Sequence, residues 1–217
     1  ERMQAYGELI CNLTRQIIDQ LEPNQAFAAR HVTQEISLQI ILGAVYGLQD
    51  SDRSSEFKQR ITRLANIFES PLTSAFLFFP WLQKDLGAWS PWGNLMRQQK
   101  AIDEAIYQEI ATRRTEDCSQ RQDILSLMMS ARDESGEAMK DYELRDELMT
   151  LMLAGHETTA TAIAWGLYWL YRYPEIKAKL QAEIASLGAN PDPMAIAKLP
   201  YLTAVCQETL RIYPVAM

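Results

Sequence analysis

From Leu148 to Tyr171 the chain is almost uninterruptedly apolar, and Ala154-Gly155-His156-Glu157-Thr158-Thr159 stands in the middle of that run. A run of this length reads as one long helix around which the rest of the chain must be arranged. Burying ionisable and hydroxyl groups costs free energy unless they are hydrogen-bonded. The polar centre therefore marks a functional pocket, a local deformation of the helix, or both. Length alone would allow a transmembrane span. His156, Glu157, Thr158 and Thr159 argue against it, because a midplane acid costs roughly 2.5–3.5 kcal/mol on insertion scales. No dense Lys/Arg cluster flanks the run, and the other helices are patterned for water.

The pattern elsewhere is mostly helical. Ile10, Leu13, Ile17 and Leu21 give residues 3–21 one apolar face, and Glu22-Pro23-Asn24 breaks it. Residues 31–48 read as a more deeply buried helix, with Ile36, Ile40, Ile41, Ala44 and Val45. A helix from Ser54 to Glu69 follows a cap-like Asp50-Ser51-Asp52. Residues 70–93 read as irregular. Pro71, Pro80, Gly87, Pro91 and Gly93 punctuate Phe76, Phe78, Phe79, Trp81, Trp89 and Trp92, a composition that suits a packed loop or a lid over an apolar pocket. Helices are expected over 95–114, 123–132, about 142–171, and from Pro174 to about Leu187. A short helix and Leu199-Pro200 then lead into a last one, Tyr201 to Ile212. No β-strand, repeat or low-complexity segment is expected.

Within the central helix Thr150, Ala154, Thr158 and Ala162, each four apart, share one face. That face is small and slightly polar, so a flat cofactor or a substrate could lie close to the backbone, beside Leu153 and Gly155. Gly155 weakens the helix, and Thr158 can bond back to a carbonyl one turn earlier, which tends to bend helices. An acid beside a hydroxyl in such a groove can pass protons. The alternative is helix packing through small residues, with Glu157 salt-bridged elsewhere. A zinc-protease reading of His156-Glu157 fails, because the position four after His156 is Ala160 and the only other histidine is His31. Glu208 and Arg211, three apart, form the only E-x-x-R of the chain and can pair on the last helix. Buried, such a pair needs further hydrogen bonds, which suggests a role in anchoring a neighbouring loop.

A net charge of −7 speaks against a nucleic-acid partner. Three widely spaced cysteines, Cys11, Cys118 and Cys206, form no C-x-x-C, so neither a disulfide framework nor a zinc knuckle is expected. A reducing, cytoplasmic setting fits, with membrane association of a longer parent left open. Cys206 reads as a small core residue. The chain opens at Glu1 inside helical sequence, shows no signal peptide, and closes as a new segment begins, so an internal fragment of a longer protein is expected.

Taken together these residues resemble the cytochrome P450 family of heme-thiolate monooxygenases. The family's oxygen-activating helix carries [Ala/Gly]-Gly-x-[Asp/Glu]-Thr-[Thr/Ser], which Ala154 to Thr159 fits at every position. Glu208-Thr209-Leu210-Arg211, continued by Ile212-Tyr213-Pro214, fits the later E-x-x-R helix. Tyr173-Pro174-Glu175 and Leu199-Pro200-Tyr201-Leu202 are also similar to the family. The spacing between the motifs is closest to the fatty-acid and eukaryote-like members.

The resemblance implies a mainly α fold of cytochrome P450 type, of which residues 1–217 are a partial domain: the central helices through the E-x-x-R helix. It implies that Thr158 and Glu157 deliver protons during oxygen activation. Thr150, Leu153, Ala154 and Gly155 would line the oxygen and substrate groove. Glu208 and Arg211 would organise the cysteine-side loop, and residues 70–93 would fall in the substrate-access lid. It further implies heme b in the intact parent and O2 and a hydrophobic small molecule (fatty acid, alkane or terpenoid-like) as substrates. Electrons would come from NAD(P)H through a ferredoxin or flavoprotein reductase. The iron-binding loop of the family, Phe-x-x-Gly-x-x-x-Cys-x-Gly, and its Trp-x-x-x-Arg helix are absent, and none of the three cysteines has the loop's context. The metal ligand is therefore expected outside this chain, and the fragment alone is expected to be inactive. The alternative is a non-catalytic helical domain that binds an apolar ligand.

Overall fold

A computed structural model of the chain describes residues 2–48, 55–60, 62, 79, 83–87, 90–116 and 121–215. The described helices are α1 (Arg2–Asp19), α2 (Ala29–Tyr46), α3 (Pro91–Thr115), α4 (Ile124–Ser130), α5 (Asp141–Arg172), α6 (Pro174–Ala185), α7 (Pro193–Ile196) and α8 (Pro200–Ile212). Residues 55–60 are also helical. Among the described residues there is no strand, only an isolated antiparallel bridge between Arg132 and Ala138. None of the described helices is long and apolar enough to cross a membrane.

Helix starts follow local chemistry. Ser90 caps α3 by accepting from Gly93 N at 2.8 Å, with Pro91 at the first position. Pro91, Trp92 and Gly93 therefore belong to α3 and not to the irregular stretch expected over 70–93. Phe79 and residues 83–87 are exposed, whereas Phe76, Phe78, Trp81 and Trp89 lie outside the described residues. Asp123 caps α4 by accepting from Ser126 N at 2.9 Å. No side chain of its own caps α8. The Glu183 carboxylate of α6 does so instead, accepting from Tyr201 N at 2.8 Å and Leu202 N at 2.9 Å.

The chain divides into two compact units. One comprises residues 1–44 and 150–217. Its core includes Ile36, Leu38, Ile41 and Leu42 of α2, Met152 and Ala160 of α5, and Leu180 and Leu199. The expected face of α1 is only partly used: Ile10 is exposed, because α1 lies against α7 as well as α2. The other unit is residues 45–149. Ile102, Ile106 and Ile110 of α3 and Leu144 and Leu148 of α5, spaced by four, are buried with Phe57 and Tyr46. Burial pushes the Tyr46 phenol well above its usual range, and its hydroxyl donates to Leu148 O at 3.4 Å.

A buried ionic cluster crosses that second core. Arg113, 1% exposed, donates from Nη1 to both oxygens of Asp123 at 2.9 Å and to Ser126 Oγ at 2.8 Å. From Nη2 it donates to Glu109 Oε1 at 2.6 Å and to Tyr46 O at 2.7 Å. Burial pulls the guanidinium's pKa down, but Glu109 and Asp123 outweigh that and hold it above its ordinary value. One side chain thus ties α3, the end of α2 and the cap of α4 together.

Candidate functional site

The centre of α5 has two unlike sides. Met152, His156 and Ala160 are buried. Thr150, Ala154 and Thr158 stand two residues before them, about 160° around the helix. On that side Thr150 and Ala154 are exposed, Thr158 and Ala162 are half-buried, and the flanking Leu153 is exposed. The small face expected from the sequence is therefore open at Thr150 and Ala154, while Ala162 lines a groove with Leu202 and Cys206 of α8. The Thr158 hydroxyl donates to the Ala154 carbonyl, the back-bond its position predicts.

The buried side is held by α2. Arg30 Nη2 donates to Glu157 Oε2 at 3.1 Å, and Gln34 Nε2 donates to Glu157 Oε1 at 3.0 Å. His156 Nε2 lies 3.2 Å from Gln34 O. That carbonyl can only accept, so the hydrogen is assigned to Nε2. Nδ1 then faces Glu157 Oε1 at 3.5 Å. Ser37 Oγ donates to His156 O at 2.9 Å and lies 3.3 Å from Gly155 O. A Cβ on Gly155 would come within 3.1 Å of Ile41 Cδ1, so the glycine also serves close approach of α2. Glu157 is thus salt-bridged, as one of the two sequence readings holds, while the small face beside it stays open.

The second motif pairs as its spacing predicts. Arg211 Nε donates to Glu208 Oε2 at 2.7 Å and Nη2 to Oε1 at 2.8 Å. The Arg211 hydrogen bonds hold the Glu208 carboxyl below its usual range, and Glu208 raises Arg211 in turn. Both side chains are exposed, at 70% for Arg211 and 55% for Glu208. The two motifs do not meet. Glu208 borders a mostly apolar groove of about 420 Å³ with Trp169, Tyr173, Tyr201 and Ile212. Trp169 is twelve residues past Glu157, roughly 18 Å further along α5.

Cys206 is exposed on α8 and lines a second apolar groove with Leu180 and Leu202, which corrects its reading as a core residue. Thr209, one turn on along the same face, is the buried residue of this helix, while Cys206 stays open to the groove. Cys11 is half-buried on α1, and Cys118 lies outside the described residues. Sequence reasoning missed the α2 partners. Their signal is Arg30, Gln34 and Ser37 at helical spacing on α2, whose first half also carries His31, Thr33 and Glu35. It also missed the aromatic stack of Trp165 on Tyr213, whose ring centroids lie 4.0 Å apart.

The family model for cytochrome P450 matches residues 1–217. A curated protein of Mycobacterium bovis named as a cytochrome P450, 135B1, is 39% identical over 193 residues, 88% of this chain and 39% of the relative. One of Mycobacterium tuberculosis, named as cytochrome P450 137, is 34% identical over 215 residues, 99% of this chain and 42% of the relative. Among solved structures, the crystal structure of the cytochrome P450DA heme domain is similar at a TM-score of 0.80 and 23% identity. That likeness covers 96% of this chain and 46% of the solved one, and speaks for the fold. The chain spans about two fifths of the length of the curated relatives it matches.

Proposed function

The chain belongs to the cytochrome P450 family, and we propose that residues 1–217 are the proton-handling and loop-anchoring part of one larger heme-thiolate monooxygenase domain. The observation that carries this reading is a hydroxyl, Thr158, on an open small face of α5, next in sequence to a half-buried carboxylate, Glu157. The face suits a flat cofactor: Thr150, Ala154, Thr158 and Ala162 raise no side chain larger than threonine. In the intact protein Thr150, Leu153, Ala154 and Gly155 border heme b and the substrate. Heme, when bound, supplies the activation of O2.

The residues of this chain then handle protons. Glu157, tied to Arg30 and Gln34, takes up a proton at a carboxylate oxygen from solvent and passes it toward Thr158. The Thr158 hydroxyl, freed from the Ala154 carbonyl, donates its hydrogen into the groove and is refilled from Glu157. Glu208 and Arg211 hold the loop that carries the thiolate ligand, which lies outside these residues. The fragment alone is inactive. The substrate is a hydrophobic molecule of fatty-acid, alkane or terpenoid type, with electrons drawn from NAD(P)H through a ferredoxin or flavoprotein reductase. The cysteine count and spacing support a cytoplasmic setting.

Thr158→Ala in the full-length, heme-loaded protein tests the proton path. With a ferredoxin and its reductase, and dodecanoic acid as the probe, oxygen consumption is expected to continue while product per O2 falls by about tenfold or more and peroxide rises. An unchanged product-to-oxygen ratio would refute the assignment of Thr158.

A further inference from the structure

Three successive carbonyls at the centre of α5 carry a side-chain donor. Thr158 donates to Ala154 O, and the Ser37 hydroxyl sits between Gly155 O and His156 O, at 3.3 and 2.9 Å. Each of these oxygens also has the helical amide four residues on as a donor: Thr158, Thr159 and Ala160. A carbonyl has two lone pairs and can accept both, but the shared backbone bond lengthens and the helix opens slightly there. Thr158 acts from the open side of the helix. Ser37 acts from the buried side and is 2% exposed, so no water competes for its hydroxyl. One turn on along α2, Ile41 stands where a Cβ on Gly155 would come within 3.1 Å of its Cδ1. Gln34 and Arg30, one and two turns earlier, hold Glu157.

We propose that Ser37 is a positioning residue for the α5 motif: its hydroxyl weakens the backbone bonds of the 155–160 turn, so that the turn opens and frees the Thr158 hydroxyl. One hydrogen shared by two carbonyls on the buried side, mainly His156 O at 2.9 Å, and one given to Ala154 O on the open side make a single turn of α5 the cheapest place for the helix to part. The motif supplies only the Thr158 half of this device, and α2 supplies the rest. The inference rests on the proposed role of Thr158 for its functional consequence, but its structural content stands apart from it.

The test is amide hydrogen exchange over residues 154–162 in the full-length protein, with and without heme, for Ser37→Ala and Ser37→Thr. Removing the competing donor is expected to strengthen the backbone bonds, so the Ala160 amide, whose acceptor His156 O holds the shorter contact, exchanges up to about fivefold more slowly in Ser37→Ala, the equivalent of one ordinary hydrogen bond, and the Thr159 amide by less. Ser37→Thr restores the original rate. Ser37→Cys, close in volume but a weak donor, must behave like the alanine variant, which guards against a packing artefact. A serine that merely glues α2 to α5 gives the opposite sign, and unchanged or faster exchange in both donor-deleted variants overturns the proposal. Peroxide released per O2 consumed, under the dodecanoic acid conditions above, is expected to rise in Ser37→Ala and return in Ser37→Thr. If exchange slows but Thr158→Ala leaves that peroxide ratio unchanged, the proton-path reading fails while the effect of Ser37 on the turn stands.

Discussion

Replacing Arg113 with leucine should be the most destabilising single change among the described residues of 45–149. The arginine is 1% exposed, and the two carboxylates it neutralises, Glu109 and Asp123, are 6% and 7% exposed. Leucine fills much of the space but leaves both acids buried without the Arg113 charge. Removing one partner of a buried ion pair typically costs about 3–5 kcal/mol. Here the Tyr46 carbonyl and Ser126 hydroxyl lose a donor as well, so the upper half of that range is expected. With a urea slope of about 2–3 kcal/mol per molar, the midpoint of the helical circular-dichroism signal should fall by about 1.5–2 M. Neutralising the acids as well, in Arg113→Leu with Glu109→Gln and Asp123→Asn, should recover a large part of the loss, because the penalty lies in the stranded charges. A loss of less than about 1 kcal/mol for the single variant, the size of a surface pair, would refute the claim that this cluster ties the unit together.

Two further outcomes follow from backbone and surface geometry. Gly47 has φ +64°, and a Cβ there would fall 2.7 Å from Asp123 Oδ2, so Gly47→Ala should lower stability by about 1–2 kcal/mol or more from the left-handed backbone alone. A gain in the same urea assay, the usual sign for a tolerated glycine-to-alanine change, would show that the turn relaxes. Asp133 Oδ1 accepts from Ser135 Oγ at 2.7 Å, Ser135 N at 2.9 Å and Glu137 N at 2.8 Å, and these bonds, the Ser135 hydroxyl first, hold its carboxyl below the ordinary range. A lowered folded pKa means that the stabilisation of the 133–137 turn is complete above the unfolded value near about 3.9 and is lost as pH falls through the folded value. Amide shifts of Ser135 and Glu137 should therefore titrate below that value, and a midpoint at or above it would refute the hydrogen-bonded turn.

The helices and their ends were legible because their causes are local. Apolar spacing marks α2 and α5, and Pro174 opens α6, whereas Asp123 reads as the first residue of α4 and is its cap. The open face of α5 was legible for the same reason, since Thr150, Ala154 and Thr158 recur every four residues. What the sequence hid depends on partners far away in the chain. Glu183 caps α8 across a turn, Arg30 reaches Glu157 over 127 positions, and Arg113 gathers acceptors from three segments. In one dimension each of these looks like an ordinary surface charge. The exposure of Cys206 and Ile10 was misread in the opposite way, because apolar periodicity does not say which of several faces a neighbour covers.

The distribution of charge in the structure also bears on which residues can react. Among the described residues the most deeply buried ions belong to the Arg113 cluster, and a bond set that costs several kcal/mol to break does not readily release and recapture a proton. Glu157 is placed otherwise. Its side chain is 36% exposed and that of its partner Arg30 52%, so the pair resembles surface ion pairs, worth about 0–1 kcal/mol. Such a contact breaks and reforms by thermal motion, leaving the carboxylate free to turn between Arg30, Gln34 and water. The Thr158 hydroxyl next to it is similarly bound by one local bond to Ala154. The proton path we propose draws on that looseness: Ser37 loads the Gly155 and His156 carbonyls from the buried side, so the backbone can part at the turn whose Glu157 and Thr158 side chains are already mobile carriers.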